Sequence, residues 1–154
     1  MIRSHHVAFS MPDLERGITF WERAFNATVL RRFAIPALNA NAAFLDLGGL
    51  KLELWQVQGA APQPPERSLP NSDLQFCGMK HLALLVPDIV GKLASLAAMQ
   101  VPIVATQRSP AEPMHTGWDD RSEPVFAAFI TDPFGHLIEL VSPDADAASG
   151  GAAA

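Results

Sequence analysis

With 154 residues, 49% of them hydrophobic and 18% charged, the chain carries enough apolar material for a packed core, which excludes an intrinsically disordered polymer. Its net charge of −5 comes from 11 Lys and Arg against 16 Asp and Glu, with no basic cluster. A nucleic-acid partner is therefore not expected, because neutralising phosphates requires a positive stripe, and the balance points to a small-molecule partner instead.

The first predicted element is a strand, His6-Val-Ala-Phe-Ser, that runs into Met11-Pro12-Asp13. Asp is a good helix N-cap, and Leu14, Ile18, Trp21 and Phe25 then recur at spacings of three and four, which predicts a helix. Residues 43–47 (AFLDL), a Gly48-Gly49 turn and residues 50–57 (LKLELWQV) predict a hairpin. Four prolines fall in residues 58–75; they deny the backbone the donors that a ladder or helix needs, so this stretch reads as a linker. It separates a first module, 1–57, from a second, 76–142.

The second module opens with His81-Leu-Ala-Leu-Leu-Val-Pro-Asp88, and again Asp stands seven positions after His. Ile89, Leu93 and Leu96 predict another amphipathic helix that ends before Pro102. After a long loop at 105–124 come two strands, 125–131 and 136–141, joined by the turn DPFG at 132–135. Residues 143–154 are small, without periodicity, and are expected to form a disordered tail. The two modules therefore look like a duplicated βαβββ unit. Their histidines are 75 residues apart and the glutamates of their closing strands, Glu53 and Glu139, 86 apart, and the difference is absorbed by the longer loop of the second module.

Strand alternation assigns the faces. His6 shares a face with Ala8, opposite Val7 and Phe9; Glu53 shares one with Lys51 and Trp55, opposite Leu52 and Leu54. His81 lies opposite Leu82 and Leu84, and Glu139 opposite Ile138 and Leu140. In all four strands one face suits a helix layer, and the His or Glu projects from the other. If the strands of both modules curl into one trough, two imidazoles and two carboxylates converge there. That donor set suits a divalent transition metal with room for water or substrate. Taken one at a time, each residue reads more readily as a solvent-facing or hydrogen-bonded side chain than as a ligand; the matched pairs carry the metal reading, since no local pattern such as HExxH is present.

The segments HVAFSMPDLERGITFWERAF, HLALLVPDI and FITDPFGHLIEL resemble the vicinal oxygen chelate superfamily, which includes glyoxalase I, methylmalonyl-CoA epimerase, extradiol dioxygenases, fosfomycin-resistance thiol transferases and bleomycin-resistance binding proteins. The resemblance implies an α+β fold of two βαβββ modules around a U-shaped cleft, one divalent metal (Ni, Co, Zn, Mn or Fe) and a homodimer. It places the metal ligands on His6, Glu53, His81 and Glu139. With all four positions filled, a lyase or isomerase like glyoxalase I or the epimerase is expected, with Glu139 or Glu53 as the proton shuttle. A ring-cleaving dioxygenase would need only His6, His81 and Glu139, but such enzymes usually place a Tyr by the substrate and this chain has none. A metal-free antibiotic-binding protein is the third reading; the acidic, aromatic-lined groove of such proteins is compatible with the net charge and with the presence of Trp21, Trp55 and Trp118.

For substrate binding the candidates are Trp55, on the face of Glu53, and His115, Trp118 and Arg121 in the long loop, which could close as a lid. His5 is expected on the face opposite His6, His136 at a strand cap or in solvent, Trp21 in the core, and Cys77 partly buried. One Cys permits neither an intrachain disulfide nor a Cys-rich zinc pattern. MIRSHHVAF lacks the apolar centre of a secretory signal and no apolar run reaches membrane-spanning length, so a cytoplasmic setting without a membrane partner is expected.

Overall fold

The computed structural model describes residues 1–119 and 124–150. The fold is α+β, and the chain divides into two compact units whose boundary, between Gln63 and Pro64, falls inside the Pro-rich stretch.

The first unit runs β1 (His6–Ser10), α1 (Leu14–Phe25), β2 (Thr28–Ile35), β3 (Ala40–Asp46) and β4 (Lys51–Val57). Its sheet has the order β1-β4-β3-β2. Strand β1 lies parallel to β4, and the other pairs are antiparallel. Asp13 starts the helix as expected: its carboxylate accepts a hydrogen bond from Arg16 N at 3.0 Å. Gln56 of β4 adds a second cap, with Oε1 accepting from Leu14 N at 3.0 Å, which ties the helix to the sheet. Asn26 ends the helix in the left-handed region at φ 55°, a conformation Asn tolerates. Ile18 and Trp21 of α1 are buried, as are Phe9, Leu45, Leu52 and Leu54 of the strands, and Phe9 meets Trp21 at 5.9 Å. Each such large apolar side chain contributes about 1.5–3 kcal/mol. These strand residues are the set that alternation places opposite His6 and Glu53, so the core occupies one side of the sheet and leaves the other for chemistry.

The second unit runs β5 (Leu82–Leu85), α2 (Ile89–Ala98), β6 (Ile103–Gln107), β7 (His115–Thr116), β8 (Ala127–Thr131), β9 (Leu137–Val141) and α3 (Pro143–Gly150). The sheet order is β5-β9-β8-β6-β7, with β5 parallel to β9, so the topology of the first unit recurs with one short edge strand added. Asp88 accepts from Gly91 N at 2.9 Å. A Cβ on Gly91 would come within 2.1 Å of Asp88 Oδ2, so glycine is what lets this carboxylate sit over the helix end. Leu93, Leu96, Ile130, Ile138 and Leu140 are fully buried. The DPFG turn is organised by Asp132, whose Oδ1 accepts from the N–H groups of Phe134 and His136, both at 2.9 Å. Its Oδ2 lies 2.7 Å from His136 Nδ1. His136 therefore partners a buried carboxylate, which would be costly without such contacts.

Three expectations require correction. Residues 143–150, expected as the start of a disordered tail, form α3. Ser142 caps it by accepting from Ala145 N at 3.2 Å, Pro143 occupies the first helical position, and Ala145 is buried. The expected loop at 105–124 begins inside β6 and contains β7. Cys77 is exposed rather than partly buried. The Pro-rich stretch also carries structure of its own, a 3-10 turn at Pro65–Ser68 and a clip in which Lys80 Nζ donates to Asp73 O at 2.7 Å and to Asp73 Oδ1 at 3.1 Å. Among the described residues no helix is long and apolar enough to cross a membrane.

Candidate functional site

In the first unit the parallel register sets Ala8 opposite Glu53. His6, two residues before Ala8, is on the same face, and its Nε2 reaches to 3.3 Å from Glu53 Oε2. In the second unit the register sets Ala83 opposite Glu139. His81, two residues before Ala83, brings its Nε2 to 3.0 Å from Glu139 Oε2. The two modules thus build the same His–Glu pair from the same register, with the same two atoms facing each other. The glutamates are the more enclosed partners, 12% and 22% exposed against 37% and 34% for the imidazoles.

The donor chemistry fits a divalent ion. Bonds of about 2.1 Å place neighbouring ligand atoms about 3.0 Å apart at right angles and about 3.4 Å apart at tetrahedral angles. The observed 3.0 and 3.3 Å lie in that interval, and both pairs consist of one imidazole nitrogen and one carboxylate oxygen. Without a cation, the same spacing is an ion-pair contact between Nε2 and Oε2. Among the described residues no three His, Cys, Asp or Glu side chains form a metal-holding group, so each His–Glu pair offers one edge of a coordination shell and not a whole one.

Each pair is backed by a phenylalanine that sequence reasoning did not single out. Phe44 lies directly across β3–β4 from Glu53 and meets His6 edge to face, with centroids 5.5 Å apart and planes at 77°. Phe129 lies across β8–β9 from Glu139 and meets His81 at 5.4 Å and 81°. A signal was present: each Phe sits in the strand before its Glu, at the cross-strand position set by the hairpin. In the first unit the aromatic surface continues, since Phe33 stacks on Phe44 at 5.6 Å and meets Trp55 at 6.5 Å. Trp55 is thus on the Glu53 face, as alternation requires.

In the second unit Glu139 lines a cavity of about 500 Å³ with Ala83, Leu85, Gln107, Ala127 and Val141, and Ala145 of α3 completes its wall. The first unit has a pocket of about 530 Å³, lined by Asn39, Asn41, Gln56 and Gln58 among others but not by Glu53. His115 is not brought to Glu139. It pairs with Thr106, and Thr106 pairs with Ala128, which lies opposite Leu140 on the far face. Its Nε2 stands 4.0 Å from Glu112 Oε2 instead. The alternation that turns His115 away turns its neighbour Met114 inward, against Ala105, Phe129 and Leu137. Trp118 is half-buried just after β7, and Arg121 lies outside the described residues.

Comparison with known proteins adds to this geometry. A family model described as Glyoxalase/Bleomycin resistance protein/Dioxygenase superfamily matches residues 3–140. The chain is 28% identical over 138 residues to the mitochondrial methylmalonyl-CoA epimerase of Homo sapiens, covering 90% of this chain and 72% of the human one. It is 27% identical over 138 residues to the metallothiol transferase FosB of Lysinibacillus sphaericus, covering 88% and 79%. Among solved structures, glyoxalase I of Leishmania major superposes with a TM-score of 0.70 at 24% identity, covering 97% of this chain and 93% of that one, a likeness of fold.

Proposed function

The chain belongs to the glyoxalase/bleomycin resistance protein/dioxygenase superfamily, and within it we propose a metal-dependent isomerase or lyase, epimerase-like or glyoxalase I-like, acting on a small substrate that chelates through neighbouring oxygens. The observation that carries this reading is the repeated His–Glu pair, set by one register in both modules at 3.3 and 3.0 Å. His6, Glu53, His81 and Glu139 would be the ligands of the ion. When bound, such an ion supplies Lewis acidity toward a substrate oxygen. The 28% identity to an epimerase over 90% of the chain favours proton transfer at carbon.

The residues divide that work. Glu139 is the proton carrier we favour over Glu53, because it lines a cavity of about 500 Å³, a size that suits a small-molecule site. Phe129 and Leu137 are buried beside it and keep water from one flank of the carboxylate. Phe44 and Phe129 fix the planes of the two imidazoles. Trp55 and Phe33 offer an aromatic wall on the Glu53 side.

Elemental analysis of protein purified without chelators tests the ligand set. About one transition-metal ion for each set of four ligands is expected, and His6→Ala and His81→Ala should each lose it; retained stoichiometry in both variants would sink the assignment. The reaction class is tested by deuterium uptake from D2O at the carbon beside the carbonyl of methylmalonyl-CoA, or by turnover of a methylglyoxal–thiol adduct. Glu139→Gln should slow whichever reaction is found by about 10²–10⁴-fold. The 27% identity to a metallothiol transferase favours thiol transfer as the second reading, recognised by loss of free thiol in the presence of an epoxide.

A further inference from the structure

His5 and His6 stand with their Nδ1 atoms 2.7 Å apart, while His6 presents Nε2 to Glu53 Oε2 at 3.3 Å. A neutral imidazole carries one N–H, so one of its nitrogens donates and the other accepts. The two contacts of His6 are therefore coupled. When the proton of His6 sits on Nε2, facing Glu53, Nδ1 of His6 is a lone pair, and the 2.7 Å contact requires a proton on His5 Nδ1. When Nε2 gives its lone pair to a cation, the proton of His6 sits on Nδ1, and His5 Nδ1 must accept it. Phe44 packs edge to face against both rings, at 5.5 Å from His6 and 6.5 Å from His5, so His5 stands beside His6 and not on the opposite face that alternation predicts, because it precedes the first residue of β1. The two Nδ1 atoms already stand at hydrogen-bond distance, so a change of tautomer needs no movement of either ring.

We infer that His5 is a positioning residue for the His6–Glu53 pair, donating from Nδ1 to His6 when no ion is bound and accepting at Nδ1 from His6 when an ion takes His6 Nε2. The inference rests on the proposed ligand set. The protons balance: the one shared between the rings passes from His5 Nδ1 to His6 Nδ1. The proton displaced from His6 Nε2 leaves to solvent, and His5 takes one from solvent at Nε2, so both rings stay neutral. The partner of a metal-bound imidazole fixes its tautomer and orientation in this way. The equivalent position in the second module holds Lys80, whose Nζ is engaged by Asp73 and by the carbonyl of Phe76. The two His–Glu pairs are thus supported by different means.

Zinc alone is the probe, titrated by calorimetry at about pH 8, where free imidazoles are neutral, into the wild type, His5→Ala, His5→Asn and His6→Ala. His5 is exposed, so its replacement leaves the core intact. His5→Ala should weaken zinc binding by about 10–100-fold, and His5→Asn, whose amide oxygen takes the place of Nδ1 as acceptor, should recover most of the loss. Long-range 1H–15N spectra supply a readout that a merely structural role would not move: on adding zinc, His5 should change from the Nδ1–H to the Nε2–H tautomer. An unchanged His5 tautomer, or equal zinc affinity in His5→Ala while His6→Ala loses zinc, overturns the role of His5 and leaves the ligand set standing. No zinc uptake by the wild type overturns the ligand set, and this inference with it.

Discussion

Phe129 offers a direct test of how the second His–Glu pair is held in place. Its ring is 4% exposed, packs with Ala105 and Leu137, lies across from Glu139 and meets His81 edge to face at 5.4 Å. Removing a buried Phe costs about 3–5 kcal/mol in lost transfer energy and cavity, and the aromatic contact accounts for about 0.5–1.5 kcal/mol of that. Phe44 has the same contact with His6, but it is only half-buried, so Phe44→Ala should cost less, near 2 kcal/mol. Urea denaturation of the metal-free protein measures both. At roughly 2–4 °C per kcal/mol, Phe129→Ala should also lower Tm by about 6–20 °C. A double-mutant cycle of Phe129→Ala with His81→Ala should return a coupling of about 1 kcal/mol. If Phe129→Ala costs no more than Phe44→Ala, or the coupling with His81 vanishes, then the ring does not hold the imidazole.

The helix caps should be separable in the same assay. Asp13→Ala and Asp88→Ala each remove a carboxylate that accepts from a first-turn amide, and each should cost about 1 kcal/mol, whereas Asn at either position should cost only a few tenths. Lys80→Met removes the donor that clips Asp73, whose side chain is 10% exposed, and leaves Arg67 Nε at 3.4 Å as its remaining cation. A loss of about 1.5–3 kcal/mol is expected, read as faster proteolysis within residues 66–80; unchanged cleavage there would show that the clip does not hold the segment.

The duplication, the two capped helices and the faces of His6, Glu53, His81 and Glu139 were all legible in the sequence, because each rests on local rules. A capping carboxylate acts within three residues of itself, and side chains alternate along a strand whatever lies beside it. Helix α3 was also within reach, since Ser142-Pro143 is a start signal; the run of small residues that follows obscured it. Local rules do not reach across strands. That Ala8 faces Glu53 and Ala83 faces Glu139 is a matter of register between segments distant in the chain, decided by ladder hydrogen bonds and by which side chains fill the core. That register brings each imidazole to its carboxylate and each phenylalanine to its imidazole. The same logic governs β7, where a pairing of two residues with β6 turns Met114 onto the cluster of Ala105, Phe129 and Leu137 and His115 away. The sequence alone determined which side chains could share a face. Only the tertiary structure decided which of them meet, because contact between strands is set by the partner's position as well as by the chain's own periodicity.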